Sequence, residues 1–215
     1  MSDSVPSEAI IEAIRRISDA LIEQRDYLTE LDQAIGDGDA GIRLAKAADT
    51  LLGYVADTPI EDVGAYLAGA GMAVNRAAPS TLGTLTATAL MSAGKMVKGQ
   101  NDITLEDTAL MFEAAAAGIQ RRGKASLDDK TIVDAMHPAA EAYSAAVAGS
   151  ASAREAGQAA ASAAEKGRDR VTPLRSKIGR ASWVGERTEG KVDPGCAALV
   201  IVLRALVDSP TRSRA

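Results

Sequence analysis

Apolar residues recur along this chain at helical rather than strand intervals. Ile10, Ile14, Ile17, Leu21, Leu28, Leu31 and Ile35 fall mostly three or four residues apart, forming one face of a long helix from residue 7. Glycines at 36, 38 and 41 end it in a loop, and a second helix is predicted over 42–56. Thr58-Pro59-Ile60-Glu61 reads as a capped start with proline in the first helical position, predicting a third helix over 59–76. Pro79-Ser80-Thr81 breaks the chain before a fourth, over 82–98. Thr104 with Asp107 opens a fifth that ends near Gly123. A sixth starts at Asp129 or Lys130 and stops around Gly149, with Pro138 inside it. Ser152 and Glu155 form a capping box for a seventh, with Gly167 as its stop. Asp193-Pro194-Gly195 supplies the cap and first-position proline of an eighth. Strand-like alternation is nearly absent, so the predicted fold is all-α with eight helices.

Composition sharpens this picture. Hydrophobic residues make up 47% of the chain but aromatics only 3%, so small side chains, alanine above all, must supply much of the packing. That favours closely packed helices over sheets. A length of 215 residues fits one core, and we expect a single domain over 1–210 with a frayed tail at 211–215. A net charge of −5 argues against nucleic acid as the main partner, which would require a basic face. One cysteine, Cys196, permits no internal disulfide, and the chain shows neither a signal peptide nor an apolar run of membrane-spanning length. The expected location is cytoplasmic, with no membrane partner.

The densest chemistry lies in LTELDQAIGDGDAG, residues 28–41. Asp32 falls in the last turn of the first helix, with Asp37 and Asp39 in the glycine-rich loop after it. Three carboxylates turned towards one point repel by roughly 4 kcal/mol per pair at about 4 Å and an effective dielectric near 20. Magnesium removes that penalty, since it favours a few carboxylates together with water and phosphate oxygens. One ion leaves the cluster negative, whereas two make it positive and attractive to a polyphosphate. An EF-hand does not fit, because Gly41 and Ala48 stand where ligands are needed. Gly118-x4-Gly123-Lys124 imitates a Walker A start but has Ala125 after the lysine and follows a helix, so it is not a P-loop. His137, the one histidine, reads as a surface or packing residue.

A further stretch, 168–192, has no helical period and carries Arg168, Arg170, Arg175, Lys177 and Arg180. A long aperiodic segment in a compact domain is usually functional or disordered. The expectation is a lid that orders when its cations meet phosphate.

Three blocks carry a family resemblance. The aspartate loop resembles the metal motif of the nucleotide-binding (L) subunits of dihydroxyacetone-type kinases, and so do RGKASLDDKTIVDAMHPA at 122–139 and GRASWVGERTEGKVDPG at 179–195. They occur in the family's order, at about its spacing, over nearly the whole chain. The resemblance implies an eight-helix antiparallel barrel in which Asp32, Asp37 and Asp39 hold magnesium. Gly41 matches the nucleotide loop, and Ser80 and Thr81 fall at the family's phosphate loop. Gly123 and Ile132 match the adenine side, while Arg180, Asp193, Pro194 and Gly195 match further nucleotide contacts. Three departures stand out. Ala40 replaces a usual histidine, Ile42-Arg43 a usual Thr-Asn pair, and Ala77-Ala78-Pro79-Ser80-Thr81 a Gly-Gly-x-Ser-Gly loop.

The resemblance also implies cofactors and partners. ATP or ADP with magnesium, two ions on the charge argument, would occupy the site, and a separate K-type subunit would hold the ketose. A phosphotransferase-system protein is the phosphate donor in one branch of the family, and a homodimer is compatible with the resemblance. A non-catalytic ADP- or ATP-binding regulatory subunit is the alternative reading.

Overall fold

The computed structural model describes residues 4–208. The tail expected at 211–215 lies outside them. Among the described residues the chain forms ten α-helices: α1 (Ser7–Glu23), α2 (Arg25–Ile35), α3 (Ala40–Asp57), α4 (Val63–Ala77), α5 (Thr81–Met96), α6 (Leu105–Gly123), α7 (Val133–Ala148), α8 (Ala153–Val171), α9 (Ala181–Val184) and α10 (Pro194–Val207). A 3-10 turn follows α9 at Gly185–Thr188. Two-residue strands, β1 (Ser4–Val5) and β2 (Ile103–Thr104), pair antiparallel and tie the N-terminal end to the start of α6.

The architecture is an all-α antiparallel barrel with eight staves. Taking α1 with α2 as one bent stave, and leaving out the one-turn α9, each stave packs on the next from α1 through α3–α8 to α10. α10 returns to α1 and closes the ring. The Arg16 guanidinium of α1 donates to the Ala205 and Leu206 carbonyls, satisfying acceptors in the last turn of α10 at that seam. Alanine permits the close packing: Ala156, Ala160, Ala161 and Ala164 of α8 are all fully buried between neighbours. The staves line an apolar cavity of about 650 Å³ that is partly open to solvent. No helix among the described residues is long and apolar enough to cross a membrane.

Several predicted boundaries hold. Thr104–Asp107 and Ser152–Glu155 both form complete capping boxes. Asp193 caps α10 by accepting from Cys196 N at 2.8 Å. Others move for physical reasons. The first predicted helix bends at Gln24, although hydrogen bonds run across the join from Gln24 N to Ala20 O and from Leu28 N to Gln24 O. α4 starts four residues after the proposed Pro59 start, because Asp62 is the stronger cap: its carboxylate accepts from Ala65 N and also from Gly99 N on the neighbouring turn. α7 starts at Val133, since the preceding loop turns through left-handed Lys124, Asp128 and Lys130. Gly167 does not stop α8, which runs to Val171. The glycine is there because a side chain would collide with the Asp134 carbonyl of α7.

Candidate nucleotide and metal cleft

The acidic loop is folded by its own first carboxylate. Asp32, in the last turn of α2, accepts through Oδ2 from Asp39 N at 2.8 Å and Ala40 N at 3.1 Å. This draws the loop back over the helix end and satisfies a first-turn amide of α3. Gly38, at φ 76°, makes the required left-handed turn between the other two acids. As a result one carboxylate oxygen from each of Asp32, Asp37 and Asp39 lies within 4.8 Å of the others. The donors are hard oxygens, partly exposed, which suits magnesium and leaves room for water or phosphate. Two arginines already face the cluster. Arg43 Nε bonds Asp39 Oδ2 at 2.5 Å, and Arg180 pairs with Asp37.

The cluster forms one end of a cleft of about 210 Å³. Every residue predicted for the site lines it except Gly41, and five segments meet there. α5 presents its start, where Ser80 caps the helix by accepting from Gly83 N at 3.0 Å. The amides of Thr81 and Leu82, the first two of the helix, have no carbonyl one turn back to bond. Gly123 ends α6 and Ile132 precedes α7, forming the apolar side with Leu85 and Ile119. The start of α10 adds Asp193, Pro194 and Gly195, and the tip around α9 brings Arg180. Gly41 lies behind this wall. It is buried, and a side chain there would strike the Arg25 carbonyl and Thr29 of α2, so its smallness lets α3 lie against α2.

Sequence reasoning missed two contributors. Arg43, noted only as a departure, is a cation of α3 paired with the acidic loop through Asp39. Lys130, considered only as a possible helix start, is buried at the cleft edge, where its Nζ donates to the carbonyls of Thr172, Leu174 and Thr188 at 2.7, 2.8 and 2.5 Å. Burial pulls its pKa below the usual lysine value, against the opposing influence of the Asp193 carboxylate. Burial pushes the Asp193 carboxyl up to about 6, and pushes the Cys196 thiol well above its ordinary range. The thiol donates to the Thr131 carbonyl at 3.0 Å, a packing role. Gly118 lies inside α6, and His137 pairs with Glu141 on α7; neither lines the cleft.

The 168–192 segment holds more regular structure than its lack of period predicts. Residues 168–171 finish α8. Each of the five cations has an acidic neighbour: Arg168 pairs with Asp169, Arg170 with Asp128, Arg175 with Glu186 and Glu189, Lys177 with Asp129, and Arg180 with Asp37. Of the five, only Arg180 faces the acidic loop. Trp183, beside it, is 86% exposed.

The DAK2 domain family matches residues 34–208. The chain is 33% identical over 217 residues to the "PEP-dependent dihydroxyacetone kinase 2, ADP-binding subunit DhaL" of Listeria innocua, covering 97% of this chain and 98% of the relative. It is 29% identical over 203 residues to the "PEP-dependent dihydroxyacetone kinase, ADP-binding subunit DhaL" of Escherichia coli, covering 94% and 97%. The solved dihydroxyacetone kinase of C. freundii superposes with a TM-score of 0.75 at 25% identity; the match covers 96% of this chain and 35% of that longer one. With the three motif blocks, the barrel and the match over most of its length, the chain belongs to the DAK2 domain family, alongside the ADP-binding subunits of dihydroxyacetone kinases.

Proposed function

We propose that this chain is the nucleotide- and magnesium-binding subunit of a dihydroxyacetone-type kinase, supplying the phosphoryl donor site while a K-type subunit holds the ketose. The carrying observation is the single cleft in which three converging carboxylates face a helix start and an arginine. Asp32, Asp37 and Asp39 would hold magnesium. When bound, it neutralises phosphate charge and polarises the transferred group. Thr81 and Leu82 offer their amides to a phosphate, with Ser80 fixing the helix start that aims them. Arg180 adds a charged donor from the tip. Gly123 and Ile132 face the base, and Asp193, Pro194 and Gly195 close the remaining wall.

The number of ions follows from charge. Three carboxylates and a nucleoside diphosphate of about −3 face the two guanidinium groups of Arg43 and Arg180. Two divalent ions bring that assembly to neutrality. The names of the two relatives, PEP-dependent and ADP-binding, support a diphosphate recharged in place by a phosphodonor protein. The free, buried Cys196 supports a reducing, cytoplasmic setting.

The acceptor must come from elsewhere. Among the described residues along the cleft, the only lysine is Lys130, and its three ammonium protons are already committed to carbonyls. No histidine lines the cleft among the described residues.

The test is a phosphorylation assay with a panel of C3–C4 ketoses, run on the pure chain alone and with K-type subunits, alongside calorimetry with Mg-ADP. The expected result is nucleotide binding by the chain alone and turnover only with a K-type partner. Turnover by the chain alone would refute the division of labour. Nucleotide binding with no turnover alongside any K-type subunit would favour the regulatory reading instead.

A further inference from the structure

The segment between α8 and α10 divides into two legs and a tip. The legs, 172–178 and 186–190, are bonded to each other and to the α6–α7 loop. Gly190 N donates to Thr172 O at 3.0 Å, and Lys177 N to Asp129 O at 3.1 Å. The buried Thr188 hydroxyl accepts from Ser176 N at 3.0 Å and donates to Gly185 O at 2.8 Å. The tip is bracketed by Gly179 and Gly185, at φ 71° and 67°, with open space around both. It carries Arg180 and Trp183.

Lys130 sits where the legs meet. Its ammonium is buried, and its three protons go to Thr172 and Leu174 on one leg and Thr188 on the other. A lysine beside a phosphate-binding cleft invites the reading of a phosphate ligand, yet no proton remains for a phosphate. A buried charge is costly without compensation, and three carbonyl dipoles provide it here. Leaving those carbonyls without a donor would weaken the join between the legs. Arginine's planar fork cannot reproduce the tripod.

We infer that Lys130 is a positioning residue: its ammonium staples the two legs together, so that only the tip 179–185 moves and Arg180 is delivered over the aspartate triad. The inference rests on the assignment of Arg180 to nucleotide phosphate proposed above. It narrows the mobile part of 168–192 to the tip, and it makes Lys130 act on the nucleotide only through Arg180.

The test is a double-mutant cycle on the full chain, with Mg-ADP affinity measured by calorimetry below the melting temperature. Lys130→Met should weaken binding by about tenfold or more, and Arg180→Ala by at least as much. The double variant should bind no more weakly than Arg180→Ala alone, because Lys130 has nothing left to position. A purely structural lysine would lower the melting temperature without this coupling. Multiplying losses would overturn the inference, since Lys130 would then touch the ligand independently. An Arg180→Ala variant of unchanged affinity would instead sink the phosphate assignment and, with it, the delivery role. Hydrogen exchange on the unsubstituted chain covers the case in which Lys130→Met does not fold. Without nucleotide, the amides of Ser176, Lys177 and Gly190 should exchange slowly and those of 180–184 fast. Equally fast exchange across 172–190 would overturn the staple.

Discussion

Arg180 is ion-paired with Asp37, which joins the tip between α8 and α10 to the acidic loop between α2 and α3. Both side chains are about half exposed, so the pair contributes little to stability by itself. Its interest lies in exchange. Either partner can turn to a ligand, the guanidinium to a phosphate and the carboxylate to a cation, without unfolding anything.

The carboxylates should therefore be sensed through the metal. Asp37→Asn and Asp39→Asn are each expected to weaken Mg-ADP binding by about 2 kcal/mol, the scale of a lost charged contact. EDTA should abolish binding by the unsubstituted chain. Calorimetry reads both, and unchanged affinity in the two variants would remove magnesium from this loop. Titration with Mn²⁺, followed by electron paramagnetic resonance, should find two ions per bound nucleotide.

Arg180→Ala should lower nucleotide affinity by roughly 1.5–3 kcal/mol, as for hydrogen bonds to charged groups. The exposed Arg187, just beyond the tip, is a charge-matched control whose alanine variant should bind nearly normally. Ser176 is unsuitable as a neutral control because it is buried between the legs. Equal losses at 180 and 187 would mean that the contribution is long-range charge rather than contact.

Asp193 makes folding stability depend on pH in a defined direction. Its folded pKa, raised to about 6 by burial, exceeds the roughly 3.9 of a free carboxyl. Its stabilising contribution is thus complete below the lower value and lost as pH rises through the upper one. Between pH 5 and 7.5 the nucleotide-free chain should lose roughly 1 kcal/mol through this group. Asp193→Asn retains a capping oxygen but cannot titrate, so its urea midpoint should change less over that range. Parallel pH profiles for the two proteins would contradict the raised pKa.

Gly167→Ala tests the seam between α7 and α8. Alanine favours a helix over glycine by about 1 kcal/mol, but here its methyl group meets the Asp134 carbonyl. Overpacking of this kind destabilises by about 1–3 kcal/mol, so a net loss is expected in denaturant melts. A gain in stability would show that the seam is looser than described.

What was legible in the sequence was largely local. The capping boxes at Thr104 and Ser152 and the Asp193-Pro194 start lie within four residues, and the structure keeps all three. The acidic triad spans only residues 32–39, so its convergence needs one helix end and one left-handed glycine. Thr58-Pro59 failed as a start because Asp62 binds Gly99 N, across 37 residues. Gly167 misled because its reason is a neighbouring helix rather than a chain break. Arg180 and Ser80 reach the cleft only through closure of the barrel, so family resemblance, not periodicity, pointed to them. Lys130 left no signal at all, since its three acceptors are backbone carbonyls at least 42 residues away.

Trp183 is the chain's one tryptophan, and it stands in solvent three residues from Arg180. Indole emission from this protein therefore comes from a single place, the tip between Gly179 and Gly185, with no background from the barrel. Its colour, its polarisation and its quenching by iodide all become reporters of that one short segment. Any change in the surroundings of this rim can thus be followed in real time and without an attached dye.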